Sequence, residues 1–114
     1  MAVDPATAEQ VRQVLKGRQD LVERRMMGGL CFMLSGNMCC GVRGSSVMVR
    51  VGRDAYAGAL TEPGVRPLEF AGRRPNGFVV VGPDGWSASA GLAAWVQRGV
   101  DFVTTLPEKG IRLG

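Results

Sequence analysis

Leu30-Cys31-Phe32-Met33-Leu34, Ser35-Gly36-Asn37, Met38-Cys39-Cys40-Gly41-Val42, Arg43-Gly44-Ser45 and Val47-Met48-Val49-Arg50-Val51 follow one another and decide the fold. Three short apolar runs alternate with two stretches of turn chemistry. Loops this short join antiparallel neighbours, so the stretch predicts a β-meander. Side chains alternate across a strand. Val47, Val49 and Val51 therefore share one face, and Met48 and Arg50 share the other. The valines form the core side, with Leu30, Phe32 and Leu34 packed on it against helices.

Upstream, Asp4-Pro5 reads as an N-cap followed by proline at the first helical position. Thr7-Ala8-Glu9-Gln10 offers a second start as a capping box. Ala8, Val11, Val14 and Leu15 then form one apolar stripe, and Gly17 suits the position just past a helix end. A helix over about residues 5–17 results. Leu21 to Met27 reads as a short extended segment closed by Gly28-Gly29.

Downstream of the meander, Arg53 to Leu60 predicts a short helix stopped at Glu62-Pro63-Gly64. Pro67 to Phe70 and Gly77 to Val81 predict two strands, and Gly82-Pro83-Asp84-Gly85 a β-turn. Leu92, Trp95, Val96, Gly99, Val100, Phe102, Val103 and Leu106 give a final helix its apolar face. Ser87 or Ser89 is its expected cap, and Pro107 its stop. The order is α-β(3)-α-β(2)-α, an α+β fold. One domain over residues 1–107 is expected, with 108–114 as a flexible tail.

The chain has 114 residues, 46% of them apolar, which suits one domain with a real core. No apolar run approaches the about 18 residues of a transmembrane helix, and no signal-peptide pattern opens the chain. Cytoplasmic location is the expectation, with no membrane partner. The three cysteines, Cys31, Cys39 and Cys40, are odd in number and clustered, which fits reduced thiols better than a disulfide framework. Adjacent Cys39 and Cys40 should point to opposite faces of their strand, so they cannot easily chelate one metal ion together.

There is no histidine. Its absence removes Ser-His-Asp triads, Cys-His dyads and most zinc-hydrolase sites. Gly28-Gly29 lacks the Lys and Ser/Thr of a phosphate loop. No carboxylate pair has useful spacing. The expectation is a non-enzyme with no catalytic residue, metal or cofactor.

Net charge is +4, carried by 14 Lys and Arg against 10 Asp and Glu. Arg24 and Arg25 flank the first glycines, and Arg73 and Arg74 occupy a loop. Arg43, Arg50, Arg53 and Arg66 stand near strand ends or on the outer sheet face. Convergence of Arg24, Arg25, Arg43, Arg50, Arg73 and Arg74 would form a phosphate-binding patch. Little aromatic interleaving accompanies them, which argues against stacked single-strand or RNA recognition. Cys31, Met33 and Met48 together would make the outer sheet face partly apolar and a candidate interface for a homodimer.

Met26-Met27-Gly28-Gly29-Leu30-Cys31-Phe32-Met33, Gly36-Asn37-Met38 and Met48-Val49-Arg50-Val51 also carry a family likeness. So do Pro67-Leu68-Glu69-Phe70, Gly77-Phe78-Val79-Val80-Val81 and Leu92-Ala93-Ala94-Trp95-Val96. In their order and spacing the chain resembles the N-terminal domain of the TfoX/Sxy proteins. Met27 stands where that pattern prefers phenylalanine. The resemblance implies a five-stranded antiparallel sheet with helices mainly on one face, and a role connected with regulating DNA-uptake competence genes. The leading reading is a non-enzymatic regulatory or protein-interaction domain linked to transcription. The alternatives are weak non-specific nucleic-acid binding through the arginines, and a thiol-linked or small-ligand role at the cysteines.

Overall fold

The computed structural model of the chain describes residues 2–88 and 91–107. Among these, the order is α1 (Pro5–Leu15), β1 (Leu21–Met26), β2 (Gly29–Leu34), β3 (Asn37–Arg43), β4 (Ser46–Arg50), α2 (Arg53–Ala59), β5 (Val65–Pro67), β6 (Phe78–Val81), α3 (Pro83–Ala88) and α4 (Leu92–Val103). The strands form one antiparallel sheet in the order β1-β2-β3-β4-β6-β5. The α+β class and the helix-covered face agree with the sequence. The sheet has six strands rather than five.

The additional strand is β1. It pairs with β2 along its whole length, from Leu21 opposite Leu34 to Met26 opposite Gly29. A two-residue turn, Met27-Gly28, reverses the chain with φ of 55° and 76°. Positive φ at both central residues is the type I′ requirement, and its twist matches that of the flanking strands. Ser35-Gly36, at 50° and 82°, repeats the device between β2 and β3. β1 escapes an alternation test because its residues after Leu21 are exposed on both faces.

The first helix follows the Asp4-Pro5 signal rather than the Thr7 alternative. The Asp4 carboxylate accepts from the Thr7 backbone N–H at 3.0 Å and from its hydroxyl at 2.6 Å. Those bonds hold its pKa below the ordinary value, the hydroxyl contributing most. The expected turn at Pro83 is instead the opening of α3, with Pro83 in the first turn, where a missing N–H costs nothing. Gly91, not Ser87, is the N-cap of α4. The other expected cap, Ser89, and the expected tail at 108–114 lie outside the described residues. Strand β5 covers Val65–Pro67, slightly earlier than expected, and Leu68 extends the pairing through its N–H to the Phe78 carbonyl at 3.2 Å.

The main core lies between the sheet and the helices. It joins Val11 and Leu15 of α1, Trp95, Val96 and Val100 of α4, and Phe32, Val47, Val49, Val79 and Val81 of the sheet. Cys39 and Cys40 both belong to this core, contrary to the expectation of opposite faces. Phe32 pairs with Cys40 while Met33 pairs with Met38, so Cys39 is an extra residue in a β-bulge. A bulge breaks strict alternation and lets neighbours share a side. Gly99 of α4 lies over this point. A Cβ there would stand 2.7 Å from the Cys39 carbonyl oxygen.

The outer sheet face carries a second, smaller core of Cys31, Met38, Met48, Leu68 and Val80, flanked by Met27, Met33 and Phe78. Glycines make room for Met48. Its Cε would lie 2.7 Å from a Cβ at Gly41 and 3.2 Å from one at Gly29. Leu68 and the chain after it close over these side chains, and Arg43 holds that chain by donating to the Glu69 carbonyl at 3.1 Å.

Gly99→Ala should destabilise the domain by about 1–3 kcal/mol, because the added methyl meets backbone that cannot yield. Gly58→Ala, inside α2 with open space around it, should stabilise by about 0.5–1 kcal/mol. Urea unfolding of the two variants beside the native chain checks the opposite signs.

Candidate interaction surface

Strand register decides which arginines meet. Cross-strand partners share a face, so Arg24, Cys31, Gly41, Met48, Val80 and Arg66 form one row across the outer face. Arg24 and Arg66 therefore stand at opposite edges of the sheet. Arg25, one residue on, faces the helix side of β1. The six arginines proposed from the sequence do not converge on one patch.

Arg50 is removed from the candidate set by packing. Its guanidinium lies 5.1 Å from the Phe78 ring centroid and 5.6 Å from that of Phe102. Partial burial lowers its pKa from the ordinary value. It joins the end of β4 to α4 by cation–π contact and is not displayed to a partner. Arg74 is committed too, with Nε 2.6 Å from a Glu69 carboxylate oxygen. Arg12 likewise holds Glu23 at 2.7 Å, and Arg98 holds Glu62 at 2.7 Å. Glu23 is kept below the usual carboxylate range by the hydrogen bonds from Arg12. These exposed pairs contribute at most about 1 kcal/mol each.

Two arginines do come together. Arg43 and Arg66 line one open groove of about 490 Å³ with Gly28, Gly44, Ser45 and Ser46. The groove sits at the end of the sheet where the β1–β2 and β3–β4 turns emerge. Arg43 is held in place by its bond to the Glu69 carbonyl, and its Cδ would stand 3.4 Å from a Cβ at Gly28. No carboxylate lines this groove among the described residues. A smaller groove of about 260 Å³, lined by Arg25, Met26, Gly28 and Gly29, adjoins it through Gly28. Arg73 lines neither groove and sits in the loop turn where its N–H and carbonyl exchange bonds with Phe70 at 3.0 and 2.9 Å. Arg66, Ser45 and Ser46 complete the site without having been proposed from the sequence. The position of Arg66 near a strand end was the available signal, and only strand order could bring it to Arg43.

Chemically, two positive charges, one of them held in place at Arg43, and two hydroxyls suit an anionic oxygen-rich group. Guanidinium forks bind carboxylate or phosphate with two parallel hydrogen bonds.

The thiols are internal. Cys31, Cys39 and Cys40 are free and buried. Burial pushes the Cys31 thiol up to about 11, and its Sγ donates to the Met26 carbonyl at 3.5 Å. Cys40 is raised well above the ordinary value by its hydrogen bond with the Cys39 side chain, then by burial. Among the described residues no group of three or more His, Cys, Asp or Glu side chains could hold a metal ion. Cys31 and Met48 share the outer face, as the alternation required, but both are wholly buried and Met33 is half-buried. An open apolar interface at Cys31, Met33 and Met48 is therefore not present, because the chain from Leu68 onward covers that face.

The fold and surface define a small antiparallel α+β domain with a basic groove at one end of its sheet. The TfoX N-terminal domain family model matches residues 13–103, and the chain belongs to that family. No curated protein and no solved structure matches the chain. No helix among the described residues is long and apolar enough to cross a membrane.

Thiol reagents at neutral pH should label the three cysteines only as fast as the protein opens, since thiolate is the reactive form. The raised thiols also set a pH dependence. The unfolded chain loses its thiol protons first, near 9.0, and folded Cys31 near 11. Stability is thus unaffected by this thiol below about 9 and falls as pH climbs toward 11. Denaturant midpoints across that range, with Cys31→Ala showing a shallower fall, check the sign.

Proposed function

We propose that this chain is a non-enzymatic regulatory domain of the TfoX N-terminal type. It works in the cytoplasm by docking an acidic surface of a protein partner concerned with transcription. The observation that carries this reading is the groove in which Arg43 and Arg66 stand with Ser45 and Ser46 and without a carboxylate. Charge with no carboxylate beside it steers association with a surface of opposite sign and rejects like charge. The family membership supports a regulatory role, and competence gene regulation is the role that the family resemblance suggests. Buried thiols of raised pKa and carboxylates committed to arginines support action by contact rather than by chemistry.

The second reading, weak non-specific binding to nucleic acid, is favoured by the adjoining groove that carries Arg25. Salt separates the two. Phosphate neutralisation releases counterions, so binding to duplex DNA would fall steeply between about 50 and 200 mM salt.

Fluorescence anisotropy of a labelled duplex should show no binding at either salt concentration. Affinity capture with the native chain as bait should retain a partner that the Arg43→Glu, Arg66→Glu double variant loses. Low-salt DNA binding abolished by the same double variant would favour the nucleic-acid reading instead.

A further inference from the structure

Strand β1 is the unpaired edge of the sheet next to β2, and its residues Val22 to Met26 are exposed. Of the large apolar side chains exposed among the described residues, Val22 and Met26 both lie on it, at 55% and 36% exposure. Edge strands are normally protected by charge. Here the charges are Glu23, Arg24 and Arg25, of both signs and in sequence.

The geometry of the β1–β2 turn fixes which backbone groups are free. Met26 and Gly29 close a two-residue turn, so they exchange hydrogen bonds with each other. By alternation Arg24 and Val22 also direct their peptide groups to β2. The N–H and C=O groups of Leu21, Glu23 and Arg25 point away from the sheet.

We propose that two copies of this chain associate through β1, antiparallel, about a two-fold axis at Arg24. The sheets then join into one continuous sheet. An axis perpendicular to the sheet keeps each side chain on its own face, so only registers centred on a residue are allowed. Centred on Arg24, Glu23 of each copy, still held by its own Arg12, lies opposite Arg25 of the other, and Val22 opposite Met26. The Glu23 and Arg25 peptide groups are the outward-pointing ones, so they form the hydrogen-bonded pairs. Centred on Glu23, the two glutamates would oppose each other and Val22 would face Arg24. Centred on Arg25, the two Arg25 side chains would meet and Met26 would face Arg24. The register at Arg24 satisfies charge, apolar pairing and hydrogen bonding together. Its one like-charge contact is Arg24 against its own copy, where both side chains are exposed and reach into solvent. The same charges that reject an arbitrary strand thus select a second copy of this one.

Two edges of this length bury less than the about 1,200 Å² of a standard stable interface, so the dimer is a weak one. The full chain should show a dimer mass by light scattering at high concentration that falls to monomer on dilution. Residues facing each other across a non-hydrogen-bonded pair approach closely enough for a disulfide. Arg24→Cys under mild oxidation should therefore give a covalent dimer, while Glu23→Cys and Arg25→Cys should not. Arg25→Glu should weaken association by about tenfold, since two attractive cross-strand pairs become repulsive. A monomer at every concentration overturns the proposal. So does a dimer that cross-links through Glu23→Cys or Arg25→Cys, or one that fails to cross-link through Arg24→Cys.

Discussion

The approach of α4 to β3 at Gly99 is the constraint on which the rest of the domain depends. The Cys39 carbonyl of the bulge comes so near the α4 backbone at Gly99 that any side chain there would collide with it. With that contact made, Trp95, Val96 and Val100 reach the valines of β4 and β6 and complete the core. The bulge is the sheet's half of the same fit. It turns Cys39 and Cys40 inward together and increases local twist, which suits a helix lying across the strands. Arg98, on the same helix, stacks 3.9 Å over Trp95 and grips Glu62 beyond α2. One helix thereby joins the sheet's centre to its far connection.

The same economy of space rules the other side of the sheet. Gly29 and Gly41 leave a recess that Met48 fills, and Leu68 seals it. A sheet face without helices is still dry when a loop crosses it. That leaves no open apolar surface at Cys31 and Met48, both wholly buried. The arginines also divide. Arg12, Arg74 and Arg98 are paired with carboxylates, and Arg50 is held between aromatic rings. Arg43 and Arg66 share a groove that no described carboxylate lines. Displayed charge, rather than total charge, is what distinguishes a docking surface from a solvated one.

The sequence was legible where local physics is decisive. The Asp4-Pro5 cap, the three-strand meander, the valine face of β4 and the apolar stripe of α4 each follow from nearest neighbours along the chain, and each stands where it was expected. From the sequence β1 reads only as an extended segment, because an edge strand exposed on both faces has no apolar alternation to reveal it. The helical start at Pro83 was indistinguishable from a turn, since both favour proline followed by aspartate. The shared face of Cys39 and Cys40 departs from simple alternation because a bulge is a property of two paired strands, and no single strand announces it.

The candidate site shows the same division. By itself, the sequence determined the residue inventory: no histidine, buried-type cysteines, an arginine excess, and strands and helices in an order that makes a one-sided α+β sheet. Which arginines meet was decided only by tertiary structure. Arg43 and Arg66 are far apart along the chain and become neighbours because β5 returns to the sheet beyond β6 and the chain after it folds over the outer face. The reason is physical. Secondary structure is set by interactions between residues a few positions apart, whereas strand order, bulges and the covering of a face minimise the exposed apolar surface of the whole chain at once.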